Sequence, residues 1–208
     1  MNAWAWTALV LFTGWAVTAF GVRAFVQHRR TGDAGFRGIS GRPGSASWWA
    51  GLLFVLALVG GAAAPVASLA GLSPLPGAGG DALRWAGLIV AVAGIAATLA
   101  AQSAMGSSWR VGVDAGERTE LVTSGIFAGV RNPVFTAMVV TAAGLALMVP
   151  NLIAVLTWGV LVIAIELQVR VVEEPYLAHV HGVAYDAYTA RAGRFVPGVG
   201  RRRSPIAA

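Results

Sequence analysis

The charged residues that could do chemistry in this chain cluster where a long apolar run ends. Glu166, Gln168 and Arg170 interrupt that run, and Glu173 and Glu174 follow directly. Arg170 stands four residues from both Glu166 and Glu174, the spacing at which side chains on one helical face can pair. This spacing is consistent with a charge ladder that anchors the helix end. It is equally consistent with a polar pocket in which Arg170 receives an anion and a glutamate receives a cation.

A second polar group follows in "EEPYLAHVHGVAYDAYTARAGRFVP". Pro175 is tolerated at the first position of a helix, so a new or kinked helix is predicted over residues 175–192. At 100° per residue, four side chains of this helix fall within about 60° of one another: Glu174, His181, Tyr185 and Tyr188. The helix could lie on a membrane surface with its tyrosines at headgroup level. Alternatively, Tyr185, Tyr188 or His181 could help to deprotonate a nucleophile.

Other common chemistries find little support. Cysteine is absent, which excludes disulfides and thiolate sites. His179 and His181 are two residues apart and point in different directions on a helix, so no metal site is predicted. The glycines of "GISGRPGS" and "GAGG" follow no predicted strand, which argues against a dinucleotide-binding fold.

The composition indicates what must position these residues. The chain has 208 residues, of which 57% are hydrophobic and 12% charged, against about 25% charged in soluble domains. Five apolar runs approach the ~20 residues that cross a bilayer: 3–27, 47–70, 83–105, 133–150 and 152–169. We therefore predict an all-α, polytopic helical membrane protein with about five transmembrane helices and a cytoplasmic C-terminal amphipathic helix.

The positive charges predict an orientation. All fifteen cations are arginines, and all but Arg84 lie in or beside residues 23–42, 110–131 and 170–203. Five spans place those three regions on one side, which the positive-inside rule makes cytoplasmic. The N-terminus is then outside, and the C-terminus and the polar clusters are cytoplasmic. The net charge of +6 is thus read as a topology signal with affinity for membrane lipids, and no nucleic-acid partner is predicted.

The chain divides after Met105 into three transmembrane helices (1–105) and a C-terminal part (106–208). The second part holds a polar stretch, a hairpin over 133–169 turned by "MVPN", the helix over 175–192 and a basic tail. In "GVRNPVFTAM", Pro133 is predicted to start the fourth span with Asn132 as its N-cap. Arg131 is expected just outside the hydrocarbon.

Two motifs carry a family resemblance. The run "GSSWRVGVD…ELVTSGIFAGVRNPVFTA" and the later "EEPYLAHVHGVAYDAYTARAGRFVP" resemble the isoprenylcysteine carboxyl methyltransferase family and its phospholipid-methyltransferase relatives. The family pattern runs Leu-Val-x-x-Gly-x-Tyr, Arg-His-Pro-x-Tyr, a Glu-Glu pair, Gly-x-x-Tyr-x-x-Tyr and a late Arg-x-x-Pro. The resemblance covers residues 106–197 with its spacing preserved.

The resemblance implies an integral membrane methyltransferase that uses S-adenosylmethionine, without a metal. Its cofactor would lie between the loop before the fourth span and the helix after the fifth. Arg170 matches an arginine that faces a substrate carboxylate. Tyr185 and Tyr188 are candidate catalytic residues on the geometry of the helical face alone. The positions that match family cofactor contacts are Leu121, Val122, Phe127, Asn132, Pro133, Val134 and Phe135, together with Glu173 or Glu174 for the cofactor's ammonium.

Two positions depart from the family pattern. Asn132 stands where the family has histidine, and Phe135 where it has tyrosine. Asparagine keeps a hydrogen-bond donor and acceptor but cannot titrate, so its expected role is positional.

The expected substrate is a small lipophilic molecule that enters from the bilayer. A carboxylate acceptor, as on an isoprenylcysteine, is already ionised at pH 7 and could be held by Arg170. A phospholipid amine, a small thiol, or a catalytically inactive scaffold are the alternatives. A transporter is less consistent, because the charges gather at one membrane face rather than at the midplane.

Overall fold

A computed structural model describes residues 2–35, 38–106, 109 and 121–202. Helices dominate this part of the chain. In order they are α1 (Asn2–Ala16), a π-helical segment (Val17–Val22), α2 (Arg23–Thr31), α3 (Ala46–Leu69), α4 (Asp81–Ala104), a 3-10 turn (Gly125–Ala128), α5 (Pro133–Met148), α6 (Leu152–Leu167), a second π-helical segment (Gln168–Glu173), α7 (Glu174–His181) and α8 (Val183–Arg191).

Within the described residues, four continuous helices are long and apolar enough to cross a membrane: Ala3–Thr31, Ala46–Leu69, Asp81–Ala104 and Leu152–His181. The fifth apolar helix, Pro133–Met148, is shorter, at 16 residues. The predicted all-α polytopic membrane fold is confirmed, and four of the five predicted runs correspond to full-length spans.

Glycines let α4 and α5 approach backbone to backbone. A Cβ added at Gly94 would lie 2.6 Å from the Thr141 backbone nitrogen, and one at Gly144 would clash with the backbone of Ala91. Small residues serve this purpose in membranes, where helices associate by close packing rather than by the hydrophobic effect. The glycines therefore fix the contact between the third and fourth apolar helices.

The predicted "MVPN" turn joins α5 to α6 and is anchored by Asn151. Its Oδ1 accepts from the Ala154 backbone N–H at 2.9 Å and caps α6. Its Nδ2 donates to Ala64 O and to Ser68 Oγ, each at 2.9 Å, which attaches the turn to α3. The side chain is fully buried, so the turn is tied to α3 by satisfied polar groups.

The predicted single helix over residues 175–192 is wrong. α6 runs on through the second π-helical segment into α7, and Gly182 then breaks the helix before α8. Gly182 has φ 48° and ψ −125°, a conformation that side-chain-bearing residues rarely adopt. The break separates α7 from α8, so Glu174, His181 and the two tyrosines do not share one helical face.

The two π-helical segments border one cavity. Val17–Val22 lies within the first long helix and Gln168–Glu173 within the last. π-Helical turns are rare and occur frequently at functional sites. Both segments contribute residues to the cavity described next.

Candidate active site

A cavity of about 680 Å³ lies among these helices, within the roughly 300–1,000 Å³ of small-molecule sites. It has two ends. The membrane end is apolar, and the polar end lies against the second π-helical segment, α7 and α8. Representative membrane-end residues are Val17, Phe20, Phe54, Leu58, Met138 and Ile165, and polar-end residues are Arg131, Asn132, Gln168, Glu173, Glu174 and Tyr176.

Most of the residues that the sequence singled out line this one cavity. They are Leu121, Val122, Phe127, Asn132, Pro133, Val134, Phe135, Glu173, Glu174, Tyr185 and Tyr188. They come from three stretches of the chain that are distant in sequence. Residues 107–108 and 110–120 of the predicted cofactor loop lie outside the described residues.

Arg170, which was predicted to be a site residue, does not line the cavity, and neither does His181. The Arg170 side chain is about half exposed and forms an ion pair with Glu166 on the same helix. The predicted pairing of Arg170 with Glu166 is therefore present, whereas the pairing with Glu174 is not. Arg170 is absent from the residues that line the cavity, so its predicted contact with a substrate carboxylate has no geometric support.

Glu174 is instead the centre of a buried ion cluster with three arginines. Its Oε1 accepts from Arg131 Nη2 at 2.9 Å and from Arg194 Nε at 2.7 Å. Its Oε2 accepts from Arg194 Nη2 at 3.0 Å and from Arg202 Nη2 at 2.7 Å. The carboxylate also raises the pKa of Arg194 above its ordinary value. Both oxygens are thus occupied by the protein's own cations.

Arg131 is buried within the protein, with its side chain 2% exposed. Besides Glu174, its guanidinium donates to the backbone carbonyls of Ala192 at 2.6 Å, Gly200 at 3.1 Å and Thr189 at 3.4 Å. Arg131 therefore attaches the start of α5 to α8 and to the chain that follows it.

Glu173, the neighbouring carboxylate, has a different environment. It lies at the end of the second π-helical segment and lines the cavity. Its Oε1 accepts from Gln168 Nε2 at 3.1 Å. Of the two adjacent glutamates, Glu174 accepts hydrogen bonds from three arginines, and Glu173 accepts one from the side-chain amide of Gln168.

α5 begins at the predicted residue, but the hydrogen bonds at its start differ from those expected. Pro133 opens the helix and Asn132 is its N-cap residue, but the Asn132 side chain makes no capping bond. Instead, the Asn132 backbone N–H and Nδ2 both donate to Arg194 O, each at 3.1 Å. A short parallel bridge between Val130 and Gly193 continues this pairing. Asn132 thus joins the helix start to the C-terminal segment.

The tyrosines are buried inside the protein, which contradicts the alternative of a surface-lying helix with its tyrosines at headgroup level. Tyr185 is 1% exposed and Tyr188 is 4% exposed. Tyr188 donates its hydroxyl hydrogen to Phe127 O at 2.7 Å. Burial raises the pKa of both phenols to about 12, and for Tyr185 the nearby Glu174 adds to this effect. Both are therefore neutral at pH 7 and poor proton acceptors there.

Several residues in or beside the cavity were missed by sequence reasoning. Gln102 near the end of α4 and Trp109 line the cavity, and Arg194 and Arg202 bind Glu174. A polar residue within an apolar run could have indicated Gln102, and the late Arg-x-x-Pro motif contains Arg194. Within the described residues, no group of three or more His, Asp or Glu side chains gathers as a metal site would require.

Comparison with known proteins bears on this arrangement. A family model described as phospholipid methyltransferase matches residues 82–184. The match runs from the start of α4 into α8 and includes the opening of α5 and both glutamates. No curated protein matches the chain.

Proposed function

We propose a methyltransferase activity from the premise that this chain belongs to the phospholipid methyltransferase family of membrane proteins. The proposed reaction is transfer of a methyl group from S-adenosylmethionine to an amphipathic acceptor held in the cavity. The observation that carries the proposal is the cavity itself, which joins a carboxylate-bearing polar end to an apolar membrane end.

The polar end has groups that match S-adenosylmethionine. Glu173 can accept hydrogen bonds from the cofactor's ammonium, since Glu174 already accepts from three arginines. Backbone N–H groups at the start of α5, at Val134 and Phe135, suit carboxylate or ribose oxygens. Leu121, Val122 and Phe127 offer apolar and aromatic surface to the adenine. When bound, the cofactor supplies an electrophilic methyl group on a sulfonium.

The catalytic contribution of this chain is then positioning and exclusion of water. Methyl transfer between a donor and a nucleophile that are held in line is accelerated mainly by their orientation, and it needs no strong base from the protein. The aromatic rings of Phe127, Phe135 and Tyr185 line the cavity, and aromatic faces attract cationic groups. The rigid ion cluster at Glu174 holds α5, α7 and the C-terminal segment in register around this space.

The membrane end supports a lipophilic acceptor. Val17 and Val55 both line the cavity and are 57% and 44% exposed, and we infer that the cavity opens between the first π-helical segment and α3. An apolar tail could enter there from the bilayer. This placement supports the predicted lateral entry and makes membrane lipids a plausible source of the acceptor.

For the acceptor group, an amine is better supported than the predicted isoprenylcysteine-like carboxylate. A carboxylate requires a cation, and Arg170 lies outside the cavity. Arg131 is the one arginine among the described lining residues. Both of its terminal nitrogens already donate within the protein, and only its buried Nε has no hydrogen-bond partner there. The carboxylate of Glu173 at the cavity wall instead attracts an amine.

The orientation that we propose is the one expected from the arginines. The basic last turn of α2 ends the first membrane-length helix, and the arginines after α8 follow the last one. The positive-inside rule assigns such segments to the cytoplasm. The polar end of the cavity, next to the arginines that follow α8, would then take its cofactor from the cytoplasm.

Titration of the purified protein with S-adenosylmethionine tests the proposal. We expect wild-type protein to bind and Glu173→Gln to bind about 10- to 100-fold more weakly, the range for a hydrogen bond to a charged group. The matched control is Glu166→Gln, which removes an exposed carboxylate outside the cavity and should bind normally. Absence of binding by the wild type would instead favour an inactive scaffold, and unchanged affinity in Glu173→Gln would contradict the assigned contact.

A further inference from the structure

Gln168 is a polar residue on the cavity wall that the proposed cofactor contacts do not use. It opens the second π-helical segment, is partly exposed and lines the cavity. Its Nε2 donates to Glu173 Oε1 at 3.1 Å. Because an ionised carboxylate can only accept, this bond fixes which end of the amide is nitrogen. The carbonyl oxygen, Oε1, is then the end that can accept a hydrogen bond from another group.

The Gln168 carbonyl oxygen is open to contact. Within the described residues, the one hydrogen bond of this side chain is the donation to Glu173. Polar atoms that are both enclosed and without a partner do occur in the protein, at Trp15 and Gln102 for example, but Gln168 Oε1 is not one of them. A molecule in the cavity can therefore reach this oxygen.

The π-helical segment accounts for the pairing of Gln168 with Glu173. In an α-helix, side chains five residues apart point about 140° away from each other and do not meet. The i to i+5 hydrogen bonding of a π-helix brings such residues to one face. Val171, which would share the face of Gln168 in an α-helix, is instead 50% exposed and does not line the cavity. The segment thus directs both Gln168 and Glu173 to the cavity wall.

Gln168 stands where this wall changes from apolar to charged. Ala164 and Ile165, one turn earlier on α6, are buried apolar residues that line the cavity. Glu173, one π-helical turn later, is the carboxylate proposed to meet the cofactor's ammonium. An amphipathic acceptor with its tail in the membrane end would place its polar head at the level of Gln168, next to the cofactor.

We propose that Gln168 Oε1 accepts a hydrogen bond from the amine N–H of the methyl acceptor. This inference rests on the proposed methyltransferase function and adds a residue that positions the acceptor and selects it. An amine that still carries hydrogen can donate to Gln168, whereas a fully methylated nitrogen cannot. The same contact would therefore favour a substrate amine over its trimethylated product.

Two lipids that differ only in the methylation of the nitrogen test this contact. The full-length protein in detergent is first saturated with S-adenosylhomocysteine, which has the cofactor's ammonium but no methyl group to transfer, so that Glu173 is occupied. It is then titrated with dihexanoyl phosphatidylethanolamine and with dihexanoyl phosphatidylcholine, which lacks N–H donors. We expect the wild type to prefer the ethanolamine lipid by about tenfold, or about 1.4 kcal/mol.

Three variants show whether Gln168 causes this preference. Gln168→Met keeps the length of the side chain without its acceptor and should bind both lipids equally. Gln168→Glu keeps an acceptor oxygen and should keep the preference, because its added charge attracts both lipid cations alike. Val171→Met places the same side chain on the same segment outside the cavity and should behave as the wild type. Equal binding by the wild type would overturn the proposal, as would a preference that survives Gln168→Met or disappears in Gln168→Glu.

A titration with S-adenosylhomocysteine alone separates this inference from the proposed function. Gln168→Met should still bind it, up to about tenfold more weakly, because Glu173 loses the amide that donates to it. A weakened affinity of this kind with an unchanged lipid preference would assign Gln168 to the cofactor and overturn the proposal. Absence of binding by the wild type would count against the methyltransferase function, and the lipid titrations repeated without S-adenosylhomocysteine would then decide the Gln168 contact by the same comparison.

Discussion

Ion pairs hold the polar end of the cavity together, whereas the helices of its membrane end pack closely at glycines, which have no side chain. At the polar end, one carboxylate accepts hydrogen bonds from three arginines that lie 43, 20 and 28 residues away in the chain. In the membrane, α4 meets α5 where Gly94 and Gly144 bring backbones into contact.

The difference follows from what each environment offers. In lipid, helices gain little from burying apolar surface, so close backbone approach supplies the attraction. At the polar end the elements are short and irregular, and buried charges there must be paired to be tolerated. The ion cluster at Glu174 therefore orders the C-terminal segment, while the glycine contacts set the shape of the membrane walls.

The largest effect should come from neutralising Glu174. Glu174→Gln leaves three arginines around a site without a counter-charge, and breaking a buried ion pair costs about 3–5 kcal/mol. We expect a large drop in thermal stability in detergent and easier proteolysis after α8. Glu166→Gln, in an exposed pair, should cost about 0–1 kcal/mol. Equal effects of the two changes would show that the cluster is not the anchor of the polar end.

The second largest effect should come from adding a methyl group at the glycine contact between α4 and α5. In Gly144→Ala the added methyl would meet the Ala91 backbone, and overpacking of this kind costs about 1–3 kcal/mol. Thermal unfolding in detergent measures it. The control is Gly159→Ala on α6, where an added Cβ meets nothing within 4 Å and stability should rise slightly. Stability unchanged in Gly144→Ala would mean that α4 and α5 are not held by this contact.

A smaller and selective effect is expected at the lateral opening. Val55→Trp would narrow the membrane end, and we expect the KM for a long-chain acceptor to rise about tenfold, or about 1.4 kcal/mol. The affinity for S-adenosylmethionine should stay the same, because the polar end is untouched. Val59→Trp, on the same helix and exposed but outside the cavity, serves as control. A weakened cofactor affinity in Val55→Trp would contradict the separation of the two ends.

The smallest effect concerns the buried phenol at the polar end. Tyr188→Phe removes the hydrogen bond to Phe127 O and should cost about 0.5–1.5 kcal/mol. The folded-state pKa of Tyr188, about 12, is above its ordinary value of 10.0, so the neutral form is favoured in the folded protein. Its contribution is complete below pH 10 and is lost as the pH rises toward 12. Thermal stability measured from pH 8 to 11.5 should therefore fall less in Tyr188→Phe than in the wild type.

The membrane helices could be predicted from sequence because a long apolar run has few alternatives in a bilayer. The runs over 47–70 and 83–105 match α3 and α4 to within two residues at each end. Pro133 marked the start of α5 for an equally local reason, since its missing N–H costs nothing at the first helical position. The motif residues at 121–135 and 173–174 were also correctly expected to lie together.

The ion cluster could not be predicted, because its partners are distant in sequence. Helical spacing suggested that Arg170 pairs with Glu174, but a π-helical segment intervenes, and its i to i+5 hydrogen bonding shifts residues four apart off a common face. The helix break at Gly182 could not be predicted either, because a glycine in "HVHGVAYD" is compatible with a helix interior or with a break, and tertiary contacts determine which one forms. Gln102 was hidden because its partner, Ala19 O, is a backbone atom 83 residues away.

The most direct test of the methyltransferase proposal is transfer of labelled methyl from S-adenosylmethionine into a membrane-lipid extract by the purified protein, with identification of the labelled atom. We predict label on a nitrogen of an extractable amphipathic amine, with label lost in Glu173→Gln and kept in Glu166→Gln. Label that appears as a carboxyl methyl ester, or no label in any product of a wild-type protein that binds the cofactor, would contradict the account.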